Sequence, residues 1–255
     1  MMPQDETVVR AEVRERVWEK LREVGDPDSR FAWDFGEFIA DYDGSDQGAE
    51  RLLELAEEQS WDSWLVTPDN NLDPARERLI ERNTPYLMPT YGIRRGFLGL
   101  DPADVPRGEA AFASVLDGMN RFAELRPLED LEANHPSLDV MVTGASFVTW
   151  EGLRMGKGHG FFDLEWAMLR NIGLATKETR VVAAVHDVQV LQEERSAEYA
   201  ADHDTIVDYI VTPTEVYRIE GAQPKPEGIY WDLLSEGEIR DIPPLETLWE
   251  RAGRP

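Results

Sequence analysis

A short glycine-rich segment, residues 154–163, has the residue types that bind phosphate groups. Glycine occupies three alternate positions, Gly156, Gly158 and Gly160. The amphipathic stretch that follows them immediately predicts a helix. Glycine tolerates positive φ and lets backbone N–H groups approach a ligand closely, while a helix N-terminus offers unpaired N–H groups and a positive dipole end. Arg154 and Lys157 add cations that can pair with phosphate oxygens. These residues predict a phosphate-binding loop, called the glycine-rich loop below.

Two other interpretations of the loop need to be weighed. A glycine-rich turn can merely tighten the crossing from a strand to a helix, and this alternative stays open from spacing alone. The segment also differs from the two common nucleotide-binding fingerprints. It lacks the Gly-Lys-Ser/Thr ending of a P-loop, and roughly ten residues separate its glycines from the apolar run around Val142, too many for a dinucleotide fingerprint.

Two further groups of residues could take part in chemistry. Asp163 lies in the first turn after the glycines, where an acidic side chain commonly complements the helix dipole. It could also hold Mg²⁺, which prefers one or two carboxylates together with phosphate oxygens and water. His186 and Asp187 could form a general base with an orienting carboxylate, although a histidine at the end of a buried strand is more often structural.

The elements that must position these residues alternate along the chain. Apolar periodicity and capping signals predict helices over residues 7–24, 45–60, 74–82, 161–173, 194–201 and 245–252. Short apolar runs predict strands over residues 63–67, 139–147, 181–190 and 207–212. Aromatic residues 31–42 lack periodicity and predict a docked loop. Strands separated by helices predict one α/β domain over residues 1–255 with an open, mainly parallel sheet between helices, and a less regular C-terminal region over 220–255.

The charge balance restricts the functional class. The chain carries 51 Asp and Glu against 26 Lys and Arg, a formal charge of −25, and it contains no cysteine. Such self-repulsion favours a protein adapted to high salt, and it argues against nucleic-acid binding, which needs a basic surface. The absence of cysteine excludes disulfides and thiol chemistry. With no long apolar run and no signal-like N-terminus, the expectation is a cytoplasmic protein without a membrane anchor.

Several ordered blocks resemble one family. The run from Leu138 to Phe147, followed by Arg-Met-Gly-Lys-Gly-His-Gly-Phe-Phe-Asp at 154–163, is similar to the signature of 5-formyltetrahydrofolate cyclo-ligases (methenyltetrahydrofolate synthetases). Residues 203–212 resemble the second family block, and Arg10 and Arg14 have the spacing of two basic residues in its first helix. Residues 160–168, 185–190, 212–214 and 224–231 are more similar to the methenyltetrahydrofolate synthetase domain-containing subgroup.

The resemblance implies a fold of the ribose-phosphate isomerase (NagB) and CoA-transferase-like group. It also implies a reaction in which ATP phosphorylates the formyl oxygen of 5-formyltetrahydrofolate, N10 attacks the activated carbon, and phosphate leaves to give 5,10-methenyltetrahydrofolate. ATP and Mg²⁺ would be the cofactors, and a folate and ATP the small-molecule partners of a monomer or homodimer.

The resemblance assigns roles to individual residues. Arg154 and Lys157 would be catalytic, and Asp163 and Asp204 would hold Mg²⁺. ATP would be bound by the two basic residues of the first helix and the glycine-rich loop: Arg10, Arg14, Arg154, Met155, Gly156, Lys157, Gly158, His159, Gly160, Phe161 and Phe162.

The chain also departs from the family pattern. Phe161 and Phe162 replace paired tyrosines, and no residue is assigned as the folate-binding glutamate, for which Glu54 and Glu57 lie in the corresponding region. These departures keep open the alternative of a non-catalytic or regulatory nucleotide-binding protein.

Overall fold

An eight-stranded sheet forms the centre of the computed structural model, which describes residues 4–192, 200–221 and 223–253. Its strands are β1 (Trp64–Val66), β2 (Tyr86–Pro89), β3 (Phe97–Leu100), β4 (Glu124–Arg126), β5 (Val140–Thr143), β8 (Arg180–Ala184), β10 (Tyr209–Val211) and β11 (Val216–Arg218). Their spatial order is β11-β10-β8-β5-β1-β2-β3-β4. The five strands from β10 to β2 are parallel, whereas β11, β3 and β4 pair antiparallel at the edges. The predicted α/β fold with a mainly parallel sheet is confirmed.

Apolar side chains cover both faces of this sheet. Alternate residues of a strand point to opposite faces. Leu65 and Met141 accordingly belong to one buried cluster, and Trp64, Val66 and Val142 belong to another. Residues on both faces are therefore apolar, which explains the near-continuous apolar runs that the strands show in the sequence.

Helices pack on the two faces and at the ends of the sheet. They are α1 (Gln4–Leu21), α2 (Ser45–Gln59), α3 (Asp73–Glu81), α4 (Ala110–Ser114), α5 (Leu116–Phe122), α6 (Leu128–Asn134), α7 (Phe161–Asn171), α8 (Glu236–Asp241) and α9 (Pro243–Arg251). Among the described residues, no helix is long and apolar enough to cross a membrane. Residues 31–42 form the expected docked loop, with Phe35 and Phe38 buried.

A second, three-stranded sheet carries the start of the glycine-rich loop. It consists of β6 (Phe147–Thr149), β7 (Arg154–Met155) and β9 (Val190–Leu191), in the order β7-β6-β9. The hairpin of β6 and β7 accounts for the residues that separate the first sheet from the glycines. The prediction of one strand over 139–147 was wrong, because β5 ends at Thr143 and the backbone N–H of Gly144 donates to the Asp69 carboxylate instead of continuing the ladder.

Other boundaries also differ from the prediction. The strand predicted over 181–190 ends at Ala184, and a 3₁₀ helix follows at Asp187–Gln189, capped by His186 and Gln189. The antiparallel edge strands and the helices between residues 97 and 134 were not predicted. In the less regular C-terminal region, the helix predicted over 245–252 is present as α9, whose Leu245 and Leu248 are buried, whereas α8 was not predicted. The helix predicted over 194–201 falls mostly outside the described residues.

Candidate active site

The glycine-rich loop joins β7 to α7 and uses glycine where the backbone requires it. Gly158 has φ of +111° and Gly160 has φ of +69°, a left-handed conformation that other residues adopt only with strain. Gly160 is also the N-cap of α7, so the unpaired N–H groups of the first helical turn follow the loop directly. The loop therefore has glycine at two positions of positive φ and a helix N-terminus directly after it, and phosphate binding stays a prediction.

Two cavities flank this loop. The first, called the strand-end cavity, is lined on one side by Thr67, Thr90 and Thr143 at the carboxyl ends of β1, β2 and β5, and on the other by loop residues; its volume is about 80 Å³. In parallel α/β sheets, this edge is where ligands bind. The second cavity, about 410 Å³, is lined by α1, the other side of the loop and the segment 228–238. It is called the arginine cavity, after Arg10 and Arg14.

The arginine cavity is lined by two arginines, Arg10 and Arg14, and by two acidic residues, Asp163 and Glu238. Arg14 donates from Nε to the Gly156 carbonyl at 2.8 Å, so α1 is tied to the loop. Burial lowers the pKa of Arg14, and the neighbouring charges of Arg10 and Arg154 lower it further. Three guanidinium groups therefore lie close enough to repel one another, an arrangement that an anionic ligand would stabilise.

Arg154 connects the two cavities through its contacts. It is buried, it pairs with Asp163 at 2.7 Å, and its guanidinium carbon lies 4.7 Å from the centroid of the Phe162 ring. Its Nε is buried without a hydrogen-bond partner. Its neighbour Met155 packs its side chain into an apolar cluster, so only the backbone of Met155 could contact a ligand.

The two carboxylates predicted to hold a metal ion are brought together. Asp204 pairs with Arg10 at 2.6 Å, and Asp163 accepts from the Thr205 backbone N–H at 2.9 Å as well as from Arg154. Burial raises the pKa of Asp204, and the negative charge of Asp163 raises it further, so the two carboxylates repel each other.

Two neighbouring carboxylates fit Mg²⁺, which completes its coordination with phosphate oxygens and water. In the described part of the chain, no group of three or more acidic or histidine side chains is placed to hold a metal ion. Asp163 and Asp204 are the two carboxylates that could hold such an ion.

Lys157 and His159 extend from the loop across the mouth of the strand-end cavity. Lys157 Nζ donates to the Glu37 carbonyl at 3.1 Å and lies 5.3 Å from the centroid of the Tyr91 ring. His159 Nε2 lies 3.3 Å from the Gly36 carbonyl oxygen, and the His159 ring lies against Phe161. These contacts narrow the mouth of the cavity, because they hold the loop against residues 36–37 on the facing side.

A buried polar scaffold supports the opposite wall of this cavity. Asp69 Oδ2 accepts from Thr67 Oγ1 at 2.6 Å and from the Gly144 backbone N–H at 2.9 Å. Arg76, which is fully buried, donates to the carbonyls of Thr67 and Asp69 and pairs with Asp73. The polar groups of this wall are thus hydrogen-bonded. Sequence reasoning missed Asp69, although its position just after a buried strand is a recognisable signal.

Glu165 differs from the other polar residues of the strand-end cavity. It is 4% exposed on α7 and lines the cavity, and its Oε2 has no hydrogen-bond partner. Burial raises its pKa well above the usual range, and the charge of Asp69 adds to this. Sequence reasoning assigned it no role. The available signal was a single acidic residue within an otherwise apolar helical stretch.

Other sequence candidates lie elsewhere. Glu54 is exposed on α2 and Glu57 pairs with Arg82, and neither lines the two cavities. His186 accepts from the Val188 backbone N–H, and Asp187 accepts from Thr212 Oγ1 at 2.8 Å. The structural interpretation of the His186–Asp187 pair is therefore favoured over a general base.

The sequence of the chain matches one protein family and several relatives. The family model of 5-formyltetrahydrofolate cyclo-ligases matches residues 6–213. Methenyltetrahydrofolate synthase domain-containing proteins from Mus musculus and Danio rerio are 32% and 33% identical over 98% and 74% of the chain, respectively. The chain spans 66% of the mouse protein and 49% of the zebrafish protein.

A solved structure of Aquifex aeolicus 5,10-methenyltetrahydrofolate synthetase was also found, with a TM-score of 0.46 and 17% identity over 84% of this chain and 95% of that one. The family assignment rests on the sequence match, which includes α1, the glycine-rich loop and Asp204. The chain belongs to the 5-formyltetrahydrofolate cyclo-ligase family.

Proposed function

We propose that this protein is an ATP- and Mg²⁺-dependent cyclo-ligase that converts 5-formyltetrahydrofolate into 5,10-methenyltetrahydrofolate. The observation that carries the proposal is the position of the glycine-rich loop between two cavities of different character. A phosphoryl transfer needs a donor and an acceptor held on either side of a cationic group, with little covalent chemistry by the protein. The loop, with Arg154 and Lys157, is suited to that role.

ATP is assigned to the arginine cavity. Arg10 and Arg14 line it, together with Gly158, Gly160 and the start of α7. Binding of the phosphates there would exchange the contacts of Arg10 with Asp204 and of Arg14 with Gly156 for contacts with phosphate oxygens. The backbone N–H groups at the start of α7 would add neutral donors.

The folate is assigned to the strand-end cavity, with its formyl group directed to the loop. The formyl oxygen attacks the γ-phosphorus and the bond to ADP breaks. N10 then attacks the formyl carbon and loses its proton, the C–O bond breaks, and inorganic phosphate leaves. Arg154 and Lys157 stabilise the charge on the transferred phosphoryl oxygens. Phe161 and Phe162 supply apolar surface at this point.

Mg²⁺ is assigned to Asp163 and Asp204, where it would neutralise charge on the phosphates. Its binding would relieve the repulsion between these carboxylates. Chelation of divalent cations is therefore expected to abolish turnover, and added Mg²⁺ to restore it, with the protein still folded by circular dichroism.

The experiment that tests the function is turnover of 5-formyltetrahydrofolate with ATP and Mg²⁺ in concentrated KCl, followed by absorbance of the methenyl product. Product formation that requires both ATP and the folate is expected. A folded protein that forms no product would contradict the proposal.

A second function is favoured by one observation, the presence of Phe161 and Phe162 where tyrosine hydroxyls occur in the family pattern. A non-catalytic or regulatory protein would keep ATP binding and lack folate chemistry. Thermal-shift titration distinguishes the two functions, because a ligand raises the melting temperature only when it binds the folded state. Stabilisation by ATP–Mg²⁺ without any response to folates would favour the second function.

A further inference from the structure

Glu165 is a buried carboxyl group that the protein leaves without a partner. Most buried polar atoms in proteins are hydrogen-bonded, and a polar group without a partner costs free energy. Oε2 of Glu165 has no partner, although Asp69 across the same cavity accepts two hydrogen bonds. The neighbouring residues Phe162, Trp166 and Leu169 on α7 are packed in an apolar cluster, where a leucine would pack at no such cost.

A second polar atom of the same cavity is also unsatisfied. Arg154 lines the strand-end cavity, and its Nε is buried without a partner. The residues lining the cavity therefore contribute one N–H group and one carboxyl oxygen that have no hydrogen-bond partner. A ligand that satisfies both must present an acceptor to the N–H group and a hydrogen-bonding group to the carboxyl.

We propose that Glu165 is a specificity-determining residue that hydrogen-bonds the edge of the pteridine ring of the folate, an inference that rests on the proposed function. The pteridine ring has adjacent N–H donors and a carbonyl acceptor on its pyrimidine edge. Aromatic side chains of Tyr91, Phe161 and Phe162 line the same cavity and offer flat surfaces against which a ring can pack. Because the volume of this cavity is about 80 Å³, only the pyrimidine edge of the ring would enter it, and the rest of the folate would extend toward the cavity mouth.

The proposal can be tested by comparing Glu165→Leu, which removes the hydrogen bond, with Glu165→Gln, which keeps an oxygen acceptor at similar size. Glu165→Leu is expected to bind 5-formyltetrahydrofolate roughly 10- to 100-fold more weakly, with a melting temperature equal to or above that of the original protein. Glu165→Gln is expected to retain binding within a few-fold. Glu58→Leu, at an exposed position of α2, is the matched control.

Nucleotide binding gives an independent readout. A fluorescent ATP analogue should bind Glu165→Leu and the original protein equally, because Glu165 lines the strand-end cavity and not the arginine cavity. Loss of nucleotide binding together with a lower melting temperature would show a structural role and overturn the proposal.

A folate analogue without the benzoyl-glutamate tail identifies which part of the folate Glu165 binds. 5-Formyltetrahydropterin lacks the benzoyl-glutamate tail but keeps the ring, so the ratio of affinities between the original protein and Glu165→Leu should match the ratio found with the full folate. A ratio of one for the pterin would overturn the assignment to the ring.

The outcomes also separate this inference from the proposed function. If the original protein binds and converts 5-formyltetrahydrofolate but Glu165→Leu does so equally well, only the inference about Glu165 is wrong. If the original protein neither binds nor converts the folate, the proposed function is wrong and the inference is overturned with it.

Discussion

The two sides of the glycine-rich loop satisfy their polar groups in opposite ways. On the side of the arginine cavity, Arg10 pairs with Asp204 and Arg14 donates to the Gly156 carbonyl. On the side of the strand-end cavity, Arg154 Nε and Glu165 Oε2 have no partner. On the first side both arginines have protein partners before any ligand binds, whereas the second side contains two buried polar atoms without a partner.

This difference indicates that ligands of the two cavities gain their binding free energy from different interactions. A ligand of the arginine cavity must replace existing ion pairs, so its binding free energy is a difference between two charged states. A ligand of the strand-end cavity gains hydrogen bonds that the free protein lacks, and an analogue without the matching groups would leave buried polar atoms unpaired. Selectivity for the folate is therefore expected to arise in the strand-end cavity.

The largest effect is expected from Arg10→Ala. Removing the guanidinium leaves Asp204 in a buried position without its main partner, which should lower the free energy of unfolding by roughly 3–5 kcal/mol. Arg251→Ala is the matched control, because Arg251 pairs with Glu129 at a similar distance of 2.7 Å on the exposed surface. Its loss should cost at most about 1 kcal/mol. If urea unfolding shows that Arg10→Ala and Arg251→Ala lower the free energy of unfolding equally, the buried ion pair does not stabilise the arginine cavity.

Lys157→Ala should have the next largest effect, on catalysis and not on folding. Lys157 makes one hydrogen bond to the Glu37 carbonyl at the cavity mouth, so the fold should tolerate its loss, whereas kcat should fall by roughly 100-fold. The control is Lys177→Ala, since Lys177 is 83% exposed and pairs with its neighbour Glu178. If steady-state kinetics give the same kcat for both variants, Lys157 is not a catalytic residue.

The same contrast explains what the sequence could predict. The glycine-rich loop was recognisable because Gly156, Gly158 and Gly160 lie within five residues of one another, and Arg154 and Lys157 lie in the same short segment. Four of the five parallel strands were recognisable as short apolar runs, namely β1, β5, β8 and β10, whereas β2 was not predicted.

The strand-end cavity could not be predicted in this way. Asp69 and Glu165 come from distant segments, and only the folded chain shows that one of these carboxyl groups is satisfied and the other is not. The edge strands β3 and β4 were also missed, because Gly99 and the exposed Glu124 and Leu125 interrupt the apolar pattern.

Gly144→Ala should have a moderate effect confined to the strand-end cavity. A Cβ at this position would lie 2.7 Å from both Asn71 Oδ1 and Ile39 Cγ2, closer than contacting atoms allow. The overpacking should cost about 1–3 kcal/mol of stability and weaken folate binding. Gly237→Ala, where the nearest atom is 3.9 Å away, is the control. Calorimetric titration should find nucleotide binding unchanged in both variants, and a loss of nucleotide affinity in Gly144→Ala would contradict the separation of the two cavities.

The smallest effects concern salt. With a formal charge of −25, the acidic side chains of the folded protein repel one another. Added KCl shortens the Debye screening length from about 10 Å at roughly 0.1 M to about 3 Å at roughly 1 M, so it should raise the melting temperature by several degrees. The stability lost in Arg10→Ala should change little with salt, because the pair is buried, whereas the small loss in Arg251→Ala should shrink. A melting temperature that is independent of KCl would contradict the adaptation to high salt.

The central claim is that phosphoryl transfer occurs across the glycine-rich loop between an ATP in one cavity and a folate in the other. A single-turnover experiment with protein in excess of both substrates tests it most directly, by measuring phosphate and methenyl product together. One phosphate is expected for each methenyl product, with no phosphate release when the folate is omitted. Phosphate released at the same rate without folate, or ATP bound and left intact in its presence, would contradict the claim.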